Sequence, residues 1–207
     1  MNTQSSDYAD YLTRSEKRRW RQALRILDPY RWHIRHLVGD ASVLDIGCGA
    51  GRNLRYLAGR TTVGIDHNAF VIQQCRSEGF DAHTTNEFNA SKELSAQKFD
   101  VLLMSHLLEH LSFDDAVGLV RSYLRNLSED GRVIIICPQP NGQRRDATHI
   151  TYFDRERLTR LCEEVGLVPT LTRSFPFPPI AGKWLYFNET VVVAERKNDQ
   201  PLGFGAL

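Results

Sequence analysis

One segment constrains the fold of this chain more than any other. Residues 43–54 read VLDIGCGAGRNL, which is a short apolar run, three glycines at alternate positions and the start of a helical pattern. Glycine permits positive φ and close approach of the backbone to a ligand, and the first turn of a helix offers unpaired N–H groups. A strand, a glycine-rich turn and a helix in this order are typical of α/β proteins that bind a nucleotide-like cofactor.

Two details separate this loop from a dinucleotide site. The fingerprint G-x-G-x-x-G needs glycine where this chain has Arg52. Asp45 places a carboxylate at the end of the strand, where it would repel a pyrophosphate and attract a ligand that carries an ammonium and a sulfonium group. A second acid, Asp66, ends the next predicted strand, where such folds bind ribose hydroxyls. The pattern therefore indicates S-adenosylmethionine and excludes NAD.

Short β-rich runs alternate with helical patterns from residue 43 to residue 164. This alternation is typical of a parallel sheet with helices on its faces. Asn68, Ser112 and Asp154 can cap three of the helices. The predicted strands are Val43 to Asp45, Thr62 to Asp66, Ala82 to Thr85, Phe99 to Met104 and Gly131 to Cys137.

The last two predicted strands break this alternation. Leu167 to Arg173 and Trp184 to Glu195 have no helix between them, so we expect an antiparallel pair. Pro169 cannot donate a ladder hydrogen bond, which places the first of the two at a sheet edge. We also expect the aromatic residues of the proline-rich connection to cover a flat or apolar acceptor. They are Phe175, Phe177, Trp184, Tyr186 and Phe187.

Residues 14–37 carry apolar side chains at helical spacing with arginines between them, and Pro29 divides the pattern in two. Three roles stay open for this region: a helix that covers core surface, a lid over cofactor and substrate, and a patch for an RNA backbone. We therefore divide the chain into an N-terminal helical extension or lid (1–40), one domain (41–197) and a flexible tail (198–207).

Charge and hydropathy exclude several classes of protein. A net charge of +1 gives no general attraction for nucleic acid or for an anionic membrane. The longest apolar run, near Val133 to Cys137, is far shorter than a membrane span. The four cysteines form no C-x-x-C pair, as is usual for thiols in a reducing compartment. We expect a soluble cytoplasmic protein without a nucleic-acid partner; the oligomeric state stays open.

Residues 106–110, HLLEH, match the zinc motif H-x-x-E-H. That motif needs both histidines in one helix, whereas His106 directly follows a strand and Ser112 begins a new helix just after His110. No further ligand is signalled downstream, so we predict no metal. His110 and His149 are instead candidate general bases, because a neutral imidazole accepts a proton near neutral pH. A structural role stays open for both.

Together these segments resemble the class I S-adenosylmethionine-dependent methyltransferases, in particular the small type 11 and type 23 domains. The resemblance covers residues 43–197 and rests on VLDIGCGAG, GIDHN, FDVLLMSHLLEHL and DATHITYFDRERLTRLCEEVGL. It implies a doubly wound, Rossmann-like α/β/α fold. The seven strands of that fold have the order 3-2-1-4-5-7-6, and strand 7 is antiparallel.

The resemblance also implies which residues hold S-adenosylmethionine. The third predicted strand is followed by Asn86 and Glu87 instead of the family's common Asp-Ala pair, so the adenine contact falls to one of these two. The other implied contacts are Asp45, Gly47 and Gly49 at the methionine end with Cys48 between them, Asp66 and His67 at the ribose and adenine, and Ser105 and His106 on the inner side.

Methyl transfer from a sulfonium is an in-line displacement with an activated leaving group, so positioning of the reactants does much of the work. A base matters only for a hydroxyl or a protonated amine. We expect an enzyme that methylates a small molecule such as a sugar, a quinone-like phenol or a lipid-linked intermediate, with O-, N- and C-methylation open. An RNA methyltransferase and a non-catalytic protein that binds S-adenosylmethionine are the alternatives.

Overall fold

The computed structural model describes residues 28–197, and within them seven strands form one sheet. The strand order is β3-β2-β1-β4-β5-β7-β6, with β7 antiparallel to both of its neighbours, as predicted. The other pairings are parallel. The strands are β1 Val43–Ile46, β2 Thr62–Asp66, β3 Ala82–Thr84, β4 Phe99–Ser105, β5 Leu127–Pro138, β6 Leu167–Phe175 and β7 Glu189–Arg196.

Helices connect the parallel strands. The capping side chains are those expected: Asn68 accepts from Phe70 N at 3.0 Å, and Ser112 accepts from Asp115 N at 3.2 Å. The α-helices among residues 28–197 are α1 Pro29–Val38, α2 Arg52–Tyr56, α3 Ala69–Ser77, α4 Thr85–Ala90, α5 Lys92–Ala96, α6 Phe113–Tyr123, α7 Pro140–Gln143 and α8 Arg155–Glu164. Short 3-10 helices span Leu108–His110, Leu124–Asn126 and Pro179–Lys183. In the described part of the chain, no helix combines the length and the apolar character that crossing a membrane requires.

Apolar side chains cover both faces of the central strands, because successive strand residues point to opposite sides. Leu44 and Leu102 belong to a buried cluster that includes side chains of α6 and α8. Val43 and Leu103 belong to a second cluster, on which α1 packs. The two clusters make the sheet rigid and fix the positions of the loops at its edges.

Helix α1 is the described part of the N-terminal region. Asp28 caps it by accepting from Tyr30 N at 3.0 Å, and Pro29 is its first residue. His33 is buried and stacks on Phe175, with 3.7 Å between ring centroids. This segment therefore covers core surface, the first of the three roles left open. The remaining basic pattern (14–27), the rest of the proposed extension (1–27) and the proposed tail (198–207) lie outside the described residues.

The connection between β6 and β7 differs from its prediction. The strand expected from Trp184 begins at Glu189, and Trp184 is 68% exposed. The preceding segment folds back on itself because the buried Asn188 side chain accepts from Phe177 N at 2.9 Å and donates to Phe177 O at 3.2 Å. Hydrogen bonds of this side-chain amide thus replace the backbone hydrogen bonds of a strand, which the prolines of this segment cannot donate because they have no N–H.

Candidate active site

The carboxyl ends of the parallel strands meet at one edge of the sheet, and the glycine loop lies there. Gly47 has φ +73°, and a Cβ atom at this position would lie 2.8 Å from the Leu107 Cδ1 atom. Gly47 N and Cys48 N both donate to Ile65 O, at 2.8 and 3.0 Å. The loop is therefore held between β2 and the turn after β4, and any other residue at position 47 would be strained by the positive φ and would displace the Leu107 side chain.

Asp45 lies beneath this loop and is fully buried. Its Oδ1 atom accepts from Asn53 Nδ2 at 3.2 Å, whereas Oδ2 has no hydrogen-bond partner among the described residues. Burial raises the pKa of Asp45 to about 7, although the Asn53 hydrogen bond and the nearby Arg52 charge oppose the rise. A cation bound at the loop would favour the ionised form of this carboxyl.

Asp66 ends β2 and joins the glycine loop to α3. Its Oδ2 accepts from Gly49 N at 3.0 Å, and its Oδ1 accepts from Asn68 N at 2.9 Å. His67 is half-exposed, with Nδ1 at 3.3 Å from Asp66 Oδ1. The structure thus brings the predicted ribose acid against the predicted methionine loop. The ribose contact itself stays a prediction.

The two candidate adenine residues differ in their surroundings. Glu87 forms a capping box with Thr84, since Glu87 Oε2 accepts from Thr84 N at 2.7 Å. Arg76 also binds both oxygens of Glu87, at 2.7 and 3.3 Å. Arg76 and the Thr84 backbone lower the pKa of Glu87 to about 2. Asn86 is exposed beside it. The Glu87 carboxylate therefore stabilises the start of α4.

Arg52 lies beside the predicted cofactor residue Ser105, a placement that the sequence did not reveal. In the sequence, Arg52 only excluded the NAD fingerprint. In the structure, its Nη2 atom donates to Ser105 Oγ at 3.2 Å, and this hydrogen bond joins the first residue of α2 to the end of β4. Ser105 is 7% exposed. An arginine at the first position of the helix after a glycine loop is the only local signal for this cation. It gives the cleft a group that binds carboxylates.

His106 follows β4 with φ +57°, an unusual backbone conformation for a residue other than glycine. Its Nε2 atom lies 2.6 Å from Glu189 Oε1, and its Nδ1 atom lies 3.3 Å from Glu109 Oε1. Burial opposes protonation, but the charge of Glu189 and hydrogen bonds with both carboxylates raise the pKa of His106. Sequence reasoning missed Glu189, whose only signal was an acid at the start of the apolar strand ETVVVA.

The two candidate bases come together with an acid. The rings of His110 and His149 are 4.8 Å apart between centroids, and His149 Nε2 lies 4.0 Å from Glu109 Oε1. Burial, the largest effect, lowers the pKa of His149. His110 ends the 3-10 helix Leu108–His110, which confirms that the H-x-x-E-H motif lies on a short turn. The downstream third group that the sequence did not signal is His149.

Backbone hydrogen bonds fix this arrangement. Ile150 N and Thr151 N both donate to Glu109 O, at 2.7 and 3.1 Å, so the loop after β5 is bound to the turn after β4. On the same edge, the Tyr186 ring packs against the Phe187 ring and under Arg145, whose Cζ atom is 4.4 Å from the Tyr186 centroid. Exposed aromatic surface thus packs against Arg145 of the loop after β5, the loop that also carries His149.

Comparison with known proteins also indicates a methyltransferase. A family model described as a methyltransferase domain matches residues 12–171, well over half of the chain. The structure is similar to a TehB-like S-adenosylmethionine-dependent methyltransferase from Corynebacterium glutamicum, with 18% identity, a TM-score of 0.66, and 93% of this chain and 100% of that chain covered. It is also similar to an S-adenosylmethionine-dependent methyltransferase from Archaeoglobus fulgidus, with 19% identity, a TM-score of 0.64, and coverage of 81% and 93%.

A third similar structure contains small molecules. It is the 1,6-didemethyltoxoflavin-N1-methyltransferase of Burkholderia thailandensis, which holds 1,6-didemethyltoxoflavin and S-adenosylhomocysteine. It has 20% identity and a TM-score of 0.63, with 93% of this chain and 87% of that chain covered. A search of curated protein sequences gives no match. At such identities the structural likenesses concern the fold.

Proposed function

The chain belongs to the methyltransferase domain family and is an S-adenosylmethionine-dependent methyltransferase; from this premise we propose that its acceptor is a small molecule bound between the glycine loop and the pair His110 and His149. The observation that carries the proposal is the meeting of these histidines with Glu109 at the same sheet edge as the glycine loop. The Burkholderia structure, which holds a small acceptor and the demethylated cofactor, supports it.

The residues around the loop fit the cofactor. Asp45 has a buried carboxylate oxygen without a hydrogen-bond partner among the described residues, and such an oxygen favours a cationic ligand nearby. Gly47 and Gly49 both have positive φ and bring the backbone close to the cleft. S-adenosylmethionine supplies a methyl group on a sulfonium, which needs no further activation.

We assign the binding roles by charge. Arg52 binds the cofactor's carboxylate, because its guanidinium already reaches across the cleft to Ser105. Asp66 accepts from the ribose hydroxyls. Asn86 contacts the adenine in preference to Glu87, whose carboxylate is engaged by Arg76 and Thr84. Together these groups aim the methyl group at the edge where the histidines lie.

On the acceptor side, His110 and His149 act as general bases that accept the proton of an acceptor hydroxyl or amine. His106, held between Glu109 and Glu189, is a positioning residue that fixes the turn after β4. The exposed aromatic rings of the connection after β6 then cover the acceptor and keep water from the transferred methyl group.

Transfer of a labelled methyl group tests this proposal. The protein is incubated with methyl-labelled S-adenosylmethionine and either a low-molecular-weight metabolite extract or total RNA. We expect label in small molecules, and loss of most of it in His149→Ala. His36→Ala is the matched control, because His36 is an exposed histidine on α1 that stacks on Trp32. Label found in RNA alone would replace this proposal with the RNA methyltransferase.

A further inference from the structure

We propose that Glu109, His110 and His149 bind a divalent first-row transition-metal ion such as Mn²⁺, Fe²⁺ or Zn²⁺. One ligand atom from each of these residues can be chosen so that all three lie within 4.8 Å of one another. Metal–ligand bonds of about 2.0–2.2 Å need ligand atoms roughly 3–3.5 Å apart, so rotation of the side chains closes the site. Two imidazoles and one carboxylate are the donor set that such ions accept with positions left open.

A second observation concerns the carboxylate of Glu109. The side chain is fully buried; its Oε2 atom has no hydrogen-bond partner among the described residues, whereas the hydrogen bond and charge of His106 at Oε1 lower the pKa of this carboxyl despite its burial. Its nearest charged neighbour is His106, with Nδ1 at 3.3 Å from Oε1. His106 offsets part of the cost of burying this carboxylate, and a metal ion bound at Oε2 would satisfy the oxygen that has no partner. His149 approaches the same oxygen with its Nε2 atom.

The second nitrogen of His149 shows how this ring is oriented. Nδ1 lies 3.1 Å from Gln143 O, a carbonyl that can only accept, so Nδ1 carries the proton. The Nε2 atom of the neutral ring then has a free lone pair, which faces Glu109. Metal-binding histidines commonly donate their other N–H to a backbone carbonyl or a carboxylate in this way.

His110 has the same arrangement. Its Nδ1 atom lies 3.3 Å from Thr148 O and 3.1 Å from Thr148 Oγ1. The Thr148 hydroxyl donates to Asp146 Oδ1 at 2.6 Å, so its oxygen accepts from His110 Nδ1–H. Both histidines therefore present Nε2 as a ligand, and a carboxylate supports one of them through a hydroxyl.

This site is not the zinc motif considered from the sequence. In that motif the two histidines of H-x-x-E-H are ligands and the glutamate is a base. Here Glu109 is a ligand, His106 stays bonded to Glu189, and the third ligand comes from the loop after β5. The prediction of no metal rested on the short turn that holds the motif and on the lack of a signalled downstream ligand; in the site proposed here His149 would be that ligand.

The use of the ion rests on the proposed function. The ion would lower the pKa of an acceptor hydroxyl bound at an open position, so that the hydroxyl releases its proton to solvent water and the alkoxide attacks the methyl group, with no proton transfer to the histidines that hold the metal. Metal binding and methyl transfer are separable in experiment, because the three ligands lie outside the glycine loop.

Binding of Mn²⁺ to chelator-treated protein, followed by the electron paramagnetic resonance signal of the free ion, tests the site. We expect one Mn²⁺ per chain, displaced by Zn²⁺, with binding weakened at least tenfold in His110→Ala and in His149→Ala. Thr148→Val, which removes only the supporting hydroxyl, should weaken binding by about 10- to 100-fold. His83→Ala is the control, because His83 pairs with a carboxylate elsewhere, at 2.7 Å from Asp81.

Calorimetry with S-adenosylhomocysteine is run on the same samples. A wild-type protein that binds S-adenosylhomocysteine but neither Mn²⁺ nor Zn²⁺ overturns the metal site and leaves the proposed function standing. Metal binding that persists undiminished in both histidine variants also overturns it. Metal binding without S-adenosylhomocysteine binding supports the site and contradicts the proposed function. Retained S-adenosylhomocysteine affinity in the variants shows that they are folded.

Discussion

Replacing Asp45 with Asn should stabilise the protein and weaken cofactor binding at the same time. The wild-type carboxyl is fully buried, and burial raises its pKa to about 7 from the usual 3.8 of an aspartic acid. Below pH 3.8 both the folded and the unfolded chain hold this proton. As the pH rises from there to about 7, the unfolded chain releases it and the folded chain does not, so stability is lost across this window.

The magnitude follows from the size of the window. Between pH 5 and the folded pKa of about 7 there are two units, each worth 1.36 kcal/mol, so this one group lowers the free energy of unfolding by about 3 kcal/mol between pH 5 and pH 8. Asp45→Asn cannot ionise and should escape that loss. Its affinity for S-adenosylhomocysteine, which carries an ammonium group, should fall about 10- to 150-fold, as for a charged hydrogen bond worth 1.5–3 kcal/mol.

Urea unfolding of both proteins at pH 5 and pH 8 measures the first effect, and calorimetry at pH 8 measures the second. Asp100→Asn is a control of opposite sign, because hydrogen bonds from Ser42 lower the pKa of Asp100. That variant should lose stability equally at pH 5 and pH 8, because both lie above the unfolded pKa, and the loss should disappear only as the pH falls through the lowered pKa of the folded state. Equal pH dependence of wild type and Asp45→Asn, or unchanged affinity in the variant, would refute the reasoning.

Four further outcomes are expected. Asp66→Ala should weaken S-adenosylhomocysteine binding about 10- to 150-fold with the fold intact by circular dichroism, and NAD should give no heat with the wild type. Gly47→Ala should lower the melting temperature and the cofactor affinity, since the new Cβ combines positive φ with a 2.8 Å approach to Leu107. Removing residues 1–27 keeps the Asp28 cap of α1. If residues 1–27 are a lid, this truncation should lower cofactor affinity and turnover without changing the melting temperature. A lower melting temperature with normal cofactor affinity would contradict the lid.

Much of the fold is local in origin and was predicted from the sequence. Helix starts followed from capping side chains such as Ser112, whose hydroxyl accepts from the backbone three residues on. The antiparallel end of the sheet followed from the missing helix before β7, and Pro169 correctly placed β6 at the edge. The start of β7 was misplaced, because Trp184 is aromatic like a strand residue but follows three prolines.

The part of the candidate site that depends on strand ends was also predictable. Parallel strands bring their carboxyl ends to one edge, so Asp45 and Asp66 had to lie near each other once the alternation was recognised. Glu87 shows the limit of this reasoning. Its position after β3 suited an adenine contact, but its carboxylate binds Arg76 of the preceding helix, a pairing that position along the chain does not reveal.

Only the tertiary structure brought the acceptor side together. Glu109 and His110 come from the turn after β4 and His149 from the loop after β5, and His106 meets Glu189 from the far strand β7. No periodicity or capping pattern links these positions, because their proximity in space depends on sheet pairing and on backbone hydrogen bonds between loops. The sequence by itself determined the sheet and the cofactor loop through local rules. The cluster of Glu109, His110 and His149 forms only when the two loops pack against each other.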